Sequence, residues 1–351
     1  MRRQIKYRIE EDVMTLSRPA TCAEFLRRLG FSRHLLTYLR HHENTLLLNG
    51  KAVFTNHPLQ KGDVLDVIFT DEIPSETIVP NPMKLNIVYE DEDLLVIDKP
   101  PFLPVQPSIG HYEYTLGNGV AAYYEKQGIP FVYRCVNRLD RNTSGLVIIA
   151  KNMASSAILY DEMKERRIRR TYLAVVHGRI DQSGTVDAPI KRRTASMIER
   201  CVDLENGQRA VTHYTPLSYN QEIDMTALSV RLETGRTHQI RVHMAHIGHP
   251  VAGDSLYGGS DDGGSLNMNL NDNDSLYADS NVKVEMESKQ LQRKEPINRQ
   301  ALHSLRLEFM HPITRGKMKF EAPVPEDIQR LLQGAGRRGF RQISSLSRDF
   351  T

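Results

Sequence analysis

The first 70 residues alternate apolar and polar positions with the periods of two different secondary structures. Between residues 21 and 42, apolar side chains recur at intervals of three and four, the spacing of one helix face. These apolar positions are Phe25, Leu26, Leu29, Leu35, Leu36 and Leu39. Gly30 interrupts the pattern, and Ser32 can cap a new helix. The pattern therefore predicts two short helices on either side of Gly30.

Two apolar runs follow these helices, "NTLLLNGKAVF" and "GDVLDVIF". The first contains Asn49-Gly50, a dipeptide typical of the two-residue turn of a β-hairpin. Lys61-Gly62-Asp63 supplies a further turn before the last run. Residues 1–70 are therefore predicted to form a small domain of two helices, a hairpin and a strand.

This predicted domain is basic, with eleven Lys and Arg residues against seven Asp and Glu. Its "NGK" turn followed by a "GD" strand resembles the alpha-L RNA-binding domain, which also occurs in a small-subunit ribosomal protein. The resemblance implies RNA binding by its cationic side chains. The candidates are Arg27, Arg28, Arg33, Arg40 and Lys51. The alternative interpretation is a helical cap on the domain that follows.

The pattern changes again after a proline-rich linker at 71–83, "DEIPSETIVPNPM". The stretch "LNIVYEDEDLLVIDKPP" alternates around an acidic turn and predicts a hairpin. Further strands are predicted at "LVIIAK", "TYLAVVHG" and "TALSVRLETG", and helices at "GNGVAAYYEKQ" and "MASSAILYDEMKERR". Because strands and helices do not alternate regularly, an α+β fold with a mixed, mainly antiparallel sheet is expected over residues 84–330.

Residues 258–298 interrupt this second domain with a polar stretch rich in Gly, Asn, Asp and Ser. Such a composition buries too little apolar surface to offset the entropy of ordering, so a flexible insertion is predicted. Residues 331–351 form a basic tail that contains "GRRGFRQ".

Charge indicates the class of partner. The net charge is +3, but residues 258–300 hold eight acidic against five basic residues, so the remainder carries +6. Clusters such as "KERRIRR" at 164–170 favour a polyanion, although solvated helix faces would have the same composition. Three separated cysteines argue against disulfides and favour a cytoplasmic location. The chain has no signal peptide pattern, no apolar run long enough for a membrane helix, and no nucleotide or metal motif, so no cofactor is predicted.

One stretch joins charge to a buried strand, "NRLDRNTSGLVIIAK" at 137–151. Asp140 lies between Arg138 and Arg141, and the run from Gly145 to Ala150 is apolar. A buried strand does not require charged residues just before it, so the pattern indicates a carboxylate held beside cations at the edge of a sheet. A simple turn or capping role for Asp140 is the alternative interpretation.

This stretch resembles the signature of the RluA family of pseudouridine synthases. Three further segments resemble that family in the expected order: "RRTYLAVVHG" at 169–178, "RLETGRTHQIRVHMAHIGHPVAGDSLYG" at 231–258, and "RQALHSLRLEFMHP" with "FEAPVPEDI" near the end. The resemblance covers roughly 84–328. Asn137 departs from it, because many members have His there; the position is expected to orient the loop without reacting.

The resemblance assigns roles to four residues. It implies that Asp140 is the nucleophile, that Tyr172 stacks on the target base and assists proton removal, and that Arg241 pairs with the catalytic carboxylate. Arg241 lies between the apolar residues Ile240 and Val242, and this alternation suggests a strand in which Arg241 points to the face opposite its two neighbours. Arg138 would contact RNA. The four histidines of "THQIRVHMAHIGHP" lack carboxylates at ligand spacing, so no metal site is predicted.

Together these observations predict an RNA pseudouridine synthase of the isomerase class that acts as a monomer on ribosomal RNA, with transfer RNA as a possible substrate and no membrane partner. The target uridine would be flipped out of its stack. A non-catalytic RNA-binding or ribosome-assembly factor is the alternative. A glycoside hydrolase fits less well, because that chemistry uses two carboxylates and the chain has no Trp for a sugar platform.

Overall fold

The computed structural model describes residues 3–10, 18–69, 78–108, 112–194, 196, 198–258 and 296–333. The chain divides into two compact units. Unit 1 comprises Met1–Thr171 and Ser304–Pro323, and unit 2 comprises Tyr172–His303 and Val324–Thr351. The predicted insertion and basic tail lie almost wholly outside the described residues, as does the first part of the predicted linker.

Unit 1 begins with an N-terminal module, residues 3–69, that has the predicted elements. Its helices are α1 (Cys22–Arg28) and α2 (Arg33–His41), and its strands are β1 (Arg3–Arg8), β2 (Leu46–Leu48), β3 (Lys51–Ala52) and β4 (Val64–Phe69). The order is β1-β4-β2-β3. Ser32 caps α2, accepting from Leu35 N at 3.3 Å. Asn49 and Gly50 form the hairpin turn with φ of 53° and 83°, as a type I′ turn requires.

Strand β1 was not predicted, because its two apolar residues, Ile5 and Tyr7, are too few to give a clear pattern among charged and polar neighbours. It pairs antiparallel with β4, from Arg3 opposite Phe69 to Arg8 opposite Val64. Arg3 also forms a bidentate ion pair with Asp93, with Nη2–Oδ2 and Nε–Oδ1 distances of 2.8 and 3.1 Å. Strand β1 is therefore bonded to the part of unit 1 that follows the module.

The N-terminal module shares one hydrophobic core with a helix that comes later in the chain, α4 (Met153–Lys164). Leu26, Phe31 and Leu35 of the module belong to the same buried cluster as Ala154 and Ile158 of α4. The burial of apolar surface stabilises this contact. Removal of the module would therefore expose an apolar face of α4 to water.

Unit 1 also contains strands of a second sheet, separate from that of the module: β5 (Ile87–Glu90), β6 (Leu94–Lys99), β7 (Arg134–Cys135), β8 (Ser144–Ala150), β15 (Leu302–Met310) and β16 (Lys317–Glu321). The β5–β6 hairpin and helix α3 (Leu116–Glu125) match the predictions from sequence. Strand β8 is buried along its whole length and pairs antiparallel with β6, with Gly145 opposite Lys99. Strand β15 lies beside β8 and pairs with β16, so a late segment completes the sheet.

The sheet of unit 2 has the order β10-β13-β14-β9, and its strands are β9 (Arg169–His177), β10 (Gly184–Asp187), β13 (Val211–Asn220) and β14 (Met225–Leu232). The pairs β10–β13 and β13–β14 are antiparallel. A small pair, β11 (Ile190–Arg192) and β12 (Arg200–Val202), lies apart from it. Helices α5 (Gln239–His246) and α6 (Glu326–Leu332) complete the unit. The α+β class is confirmed, with sheets that are mainly antiparallel.

The prediction of a strand around Arg241 is wrong, because residues 239–246 form helix α5. The helix begins after His238, which has a φ of 58° and provides no side-chain cap. Gln239 stabilises this start instead, since its side chain accepts from Arg236 N at 3.0 Å and donates to Val211 O at 2.9 Å. The local alternation of "IRV" resembles a strand, and contacts with β13 override it.

No helix among the described residues is long and apolar enough to cross a membrane.

Candidate active site

Asp140 lies in the loop between β7 and β8, called here the Asp140 loop (residues 136–143). The loop contains a tight turn, in which Thr143 N donates to Asp140 O at 3.0 Å. Leu139 is buried, Asp140 is half-buried and Arg138 is exposed. The turn therefore leaves the carboxylate partly open to solvent next to an exposed cation.

Asn137 fixes the start of the Asp140 loop. Its side-chain amide donates to Leu146 O at 3.1 Å and accepts from Ile148 N at 2.8 Å. These two bonds satisfy backbone groups of β8 and hold the loop against the strand. An amide supplies one donor and one acceptor in a plane, so Asn137 performs the expected orienting task.

Lys99, at the end of β6, holds the loop from the other side. The side chain is fully buried, and its Nζ donates to Pro100 O, Leu103 O and Arg141 O at 2.8, 2.9 and 3.0 Å. Arg141 directly follows Asp140, so the ammonium is bonded to the backbone beside the carboxylate. Three carbonyl dipoles around a buried cation compensate for part of the cost of removing it from water.

Gly145 allows β8 to approach its neighbour closely. Its φ is 109°, and a Cβ at this position would lie 2.3 Å from Ser304 O and 2.7 Å from Ser304 N. Any side chain here would push β15 away or shift the strand that follows the Asp140 loop. The glycine is therefore required by both backbone conformation and space.

Cys135 is the other side chain near the loop with nucleophilic chemistry. Burial raises the pKa of its thiol to about 12, and Sγ lies 3.0 Å from Asn137 O. The thiolate is the reactive form of cysteine, and burial disfavours that form here. Asp140 is thus the better candidate for nucleophilic attack in this stretch.

Tyr172 and Arg241 belong to unit 2, whereas Asp140 and Arg138 belong to unit 1. Tyr172 lies in β9 and is 4% exposed. Arg241 lies on α5 and is also buried. The roles that the sequence assigned to these residues stay predictions.

Within unit 2, Arg241 forms a bidentate pair with Asp254, a carboxylate that the sequence analysis did not single out. Nε donates to Oδ2 at 2.7 Å and Nη2 to Oδ1 at 2.8 Å, and the Asp254 side chain has no exposed surface. The guanidinium also lies 5.0 Å from the centre of the Tyr257 ring. A planar guanidinium held by two parallel hydrogen bonds has little rotational freedom, so Asp254 fixes the direction in which Arg241 points.

The histidines of the same region have structural partners. His243 is fully buried between Thr212 Oγ1 and Ala188 O, at 2.8 and 2.9 Å, and burial lowers its pKa. His249 Nδ1 lies 2.8 Å from His177 O. Both side chains therefore stabilise unit 2 through hydrogen bonds.

Among the described residues, one group has ligand-type atoms close enough together to hold a metal: Asp91, Asp93 and His311. The side chains of this group bond to the protein itself. His311 Nε2 lies 2.9 Å from Asp91 Oδ2, and Arg3 occupies both oxygens of Asp93. The group is an ion-pair network that connects the N-terminal module to the β5–β6 turn.

The cations proposed to bind RNA are all on the surface. Each side chain of the set is exposed: Arg27, Arg28, Arg33, Arg40 and Lys51 in the N-terminal module, and Arg138 in the Asp140 loop. Exposed cations of this kind are available for phosphate contacts. Their role in binding stays a prediction.

Comparison with known proteins identifies the family of this chain. Residues 93–246 match the family described as RNA pseudouridylate synthase. The uncharacterized RNA pseudouridine synthase YjbO of Bacillus subtilis is 41% identical over 315 residues, which cover 90% of this chain and 99% of that protein. The ribosomal large subunit pseudouridine synthase D of Xanthomonas campestris is 38% identical over 288 residues, covering 82% and 80%.

A solved structure shows the same fold at lower identity. The human RNA pseudouridylate synthase domain containing 1 has a TM-score of 0.50 and 23% identity, and the match covers 75% of this chain and 96% of that one. These findings define the class: the protein is an RNA-modifying isomerase. The chain belongs to the RNA pseudouridine synthase family, and the RluA-type assignment made from its motifs is confirmed.

Proposed function

We propose that this enzyme isomerises uridine in large-subunit ribosomal RNA, with Asp140 as the nucleophile, and that it acts in the cytoplasm. The observation that carries the proposal is the Asp140 loop between β7 and β8, which carries a half-buried carboxylate and whose backbone is fixed by hydrogen bonds from Asn137 and Lys99. Preorganised groups of this kind are needed for nucleophilic catalysis.

The reaction conserves every atom of the nucleotide. The carboxylate attacks the uridine, the bond between N1 and C1′ breaks, and the uracil turns. A bond then forms between C5 and C1′ and releases the carboxylate of Asp140, C5 loses its proton, and N1 gains one. No redox change or group donor is needed, which fits the chemistry of the side chains described above.

Two residues of unit 2 complete the proposed machinery. Tyr172 would stack on the uracil and assist the removal of the C5 proton. Arg241, held by Asp254, would pair with the carboxylate of Asp140 and favour its ionised form. Arg138 would contact the RNA backbone beside the target.

Two observations support ribosomal RNA as the substrate. A relative that is 38% identical is a ribosomal large subunit pseudouridine synthase. The N-terminal module has five exposed cations that fit a structured polyanion. Transfer RNA is the alternative substrate.

Mapping pseudouridine in RNA from a strain that lacks the gene tests this assignment. We expect one or more pseudouridines to be absent from large-subunit ribosomal RNA and restored by a plasmid with the wild-type gene. Loss of sites in transfer RNA alone would refute the ribosomal assignment. An unchanged map of both RNA classes would refute the proposed substrate altogether.

Replacement of Tyr172 by Phe and by Leu separates stacking from hydroxyl chemistry. Stacking of a base on an aromatic ring is worth about 1–3 kcal/mol, so Tyr172→Leu should raise KM strongly while Tyr172→Phe should not. If the hydroxyl assists proton removal, Tyr172→Phe should lower kcat instead. Steady-state kinetics of tritium release from 5-labelled RNA measure both parameters. Equal KM for the two variants would contradict the stacking role.

A further inference from the structure

The turn that follows β6 contains an aromatic residue in an unfavourable backbone conformation. Pro101 and Phe102 occupy the two central positions of this turn, and Phe102 has a φ of 63°. Proline cannot adopt a positive φ, so the turn has the character of type II, whose third position favours Gly or Asn. Phenylalanine at this position is strained, and glycine would relieve the strain.

Burial of the Phe102 side chain does not compensate for its strained backbone conformation. The Phe102 side chain is 47% exposed. Among the described residues, Phe102 alone combines a positive φ with a large exposed apolar side chain. Strained backbone that packing does not explain is concentrated at functional sites.

Lys99 connects this turn to the Asp140 loop. Its Nζ bonds to Pro100 O and Leu103 O, which flank the turn, and also to Arg141 O. The oxygens of Leu103 and Arg141 therefore lie within about 6 Å of each other, as both bond to one nitrogen at 2.9 and 3.0 Å. Phe102 is thus on a rigid turn beside the backbone that positions Asp140.

We propose that Phe102 is an RNA-contacting residue that stacks on a nucleotide next to the target uridine. The inference rests on the proposed role of Asp140, because that carboxylate marks where the target lies. A flipped uridine leaves a gap in the base stack, and an exposed ring can cover the face of a neighbouring base. The turn fixes the backbone that carries the ring, so less conformational entropy is lost on binding than from a flexible loop.

Substitutions at position 102 give a test in which the structural and functional effects have opposite signs. Phe102→Gly relieves the strained φ, so its Tm should equal or exceed that of wild type. The same variant loses the ring, and stacking of one base corresponds to about 5- to 150-fold in affinity. We therefore expect kcat/KM to fall by this factor, mostly through KM. Phe102→Tyr should retain wild-type kinetics, and Phe102→Leu should behave as Phe102→Gly does.

The assay uses full-length protein and total RNA from a strain that lacks the gene, labelled with 5-tritiated uridine, so that the unmodified target is present. Tyr160→Ala is the matched control, since Tyr160 is a 70% exposed aromatic residue on α4; its kinetics should not change. Wild-type kcat/KM in Phe102→Gly would overturn the proposal. A Tm that falls together with the rate would assign the ring a packing role and would also overturn it.

A separate measurement distinguishes failure of this inference from failure of the proposed function. Binding of the same RNA is measured by filter retention for wild type and each variant. If wild type releases no tritium, the proposed function fails, and weaker binding by Phe102→Gly and Phe102→Leu than by Phe102→Tyr still supports the RNA contact. Equal binding by all three variants refutes it.

Discussion

An Asp140→Asn enzyme is expected to form no detectable pseudouridine while it binds RNA within a few-fold of wild type. The amide has nearly the same size as the carboxylate, so the turn closed by Thr143 N and Asp140 O should persist. It cannot act as a nucleophile, and the loss of a covalent nucleophile commonly removes several orders of magnitude of rate. Release of tritium from 5-labelled uridine in RNA measures the isomerisation directly.

Asn142→Asp is a useful companion variant, because it places a carboxylate two residues away in the same loop. Combined with Asp140→Asn, it should not restore turnover, since the Asp140 position is the one presented by the turn. Full activity of Asp140→Asn alone would leave the family assignment intact and show that another group is the nucleophile.

An Asp254→Asn enzyme should lose both stability and turnover. The change removes the charge that compensates for the buried guanidinium of Arg241, and breaking a buried pair in this way typically costs about 3–5 kcal/mol. Arg241 would also lose the bidentate contact that fixes its direction. We expect a lower free energy of unfolding in urea, together with a lower kcat under conditions where the variant is folded.

Asp327→Asn separates these two effects. Asp327 forms a comparable bidentate pair with the fully buried Arg299, at 2.6 and 2.9 Å. The Asp327→Asn enzyme should have a lower free energy of unfolding, while its kcat stays near that of wild type. If both variants lower kcat equally once stability is matched, Arg241 has no specific part in the reaction.

The sequence predicted the elements whose signals are local. Asn49-Gly50 and Ser32 carry their turn and cap information in one or two residues, and the structure has the hairpin and the helix start there. The strand after Asp140 was predicted equally well, because Gly145 to Ala150 is an unbroken apolar run, and all seven residues of β8 are buried. Local chemistry was sufficient in each case.

The sequence could not predict the contacts that join distant residues. Lys99 bonds to Arg141 O, 42 positions later, and a backbone carbonyl has no signature in the amino-acid sequence. Asp254 follows Arg241 by 13 positions and lies beyond the end of helix α5. The alternation of "IRV" predicted a strand there, so nothing in the sequence indicated this contact. The sequence therefore led to Asp140 as the proposed nucleophile, whereas it gave no sign of Lys99 and Asp254, which hold the Asp140 loop and Arg241.

The segments of the two units alternate along the chain, since the second segment of each unit follows a segment of the other. Unit 1 ends at Pro323, and 132 residues from Tyr172 to His303 separate its two segments. A ribosome must therefore synthesise most of the protein before β15 can join β8, and the unfinished sheet leaves the part of the β8 edge that β7 does not cover unpaired until then. Pairing between residues so far apart in the sequence is slow to form. Production of this enzyme should thus depend on chaperones that protect nascent chains more than its modest size would suggest.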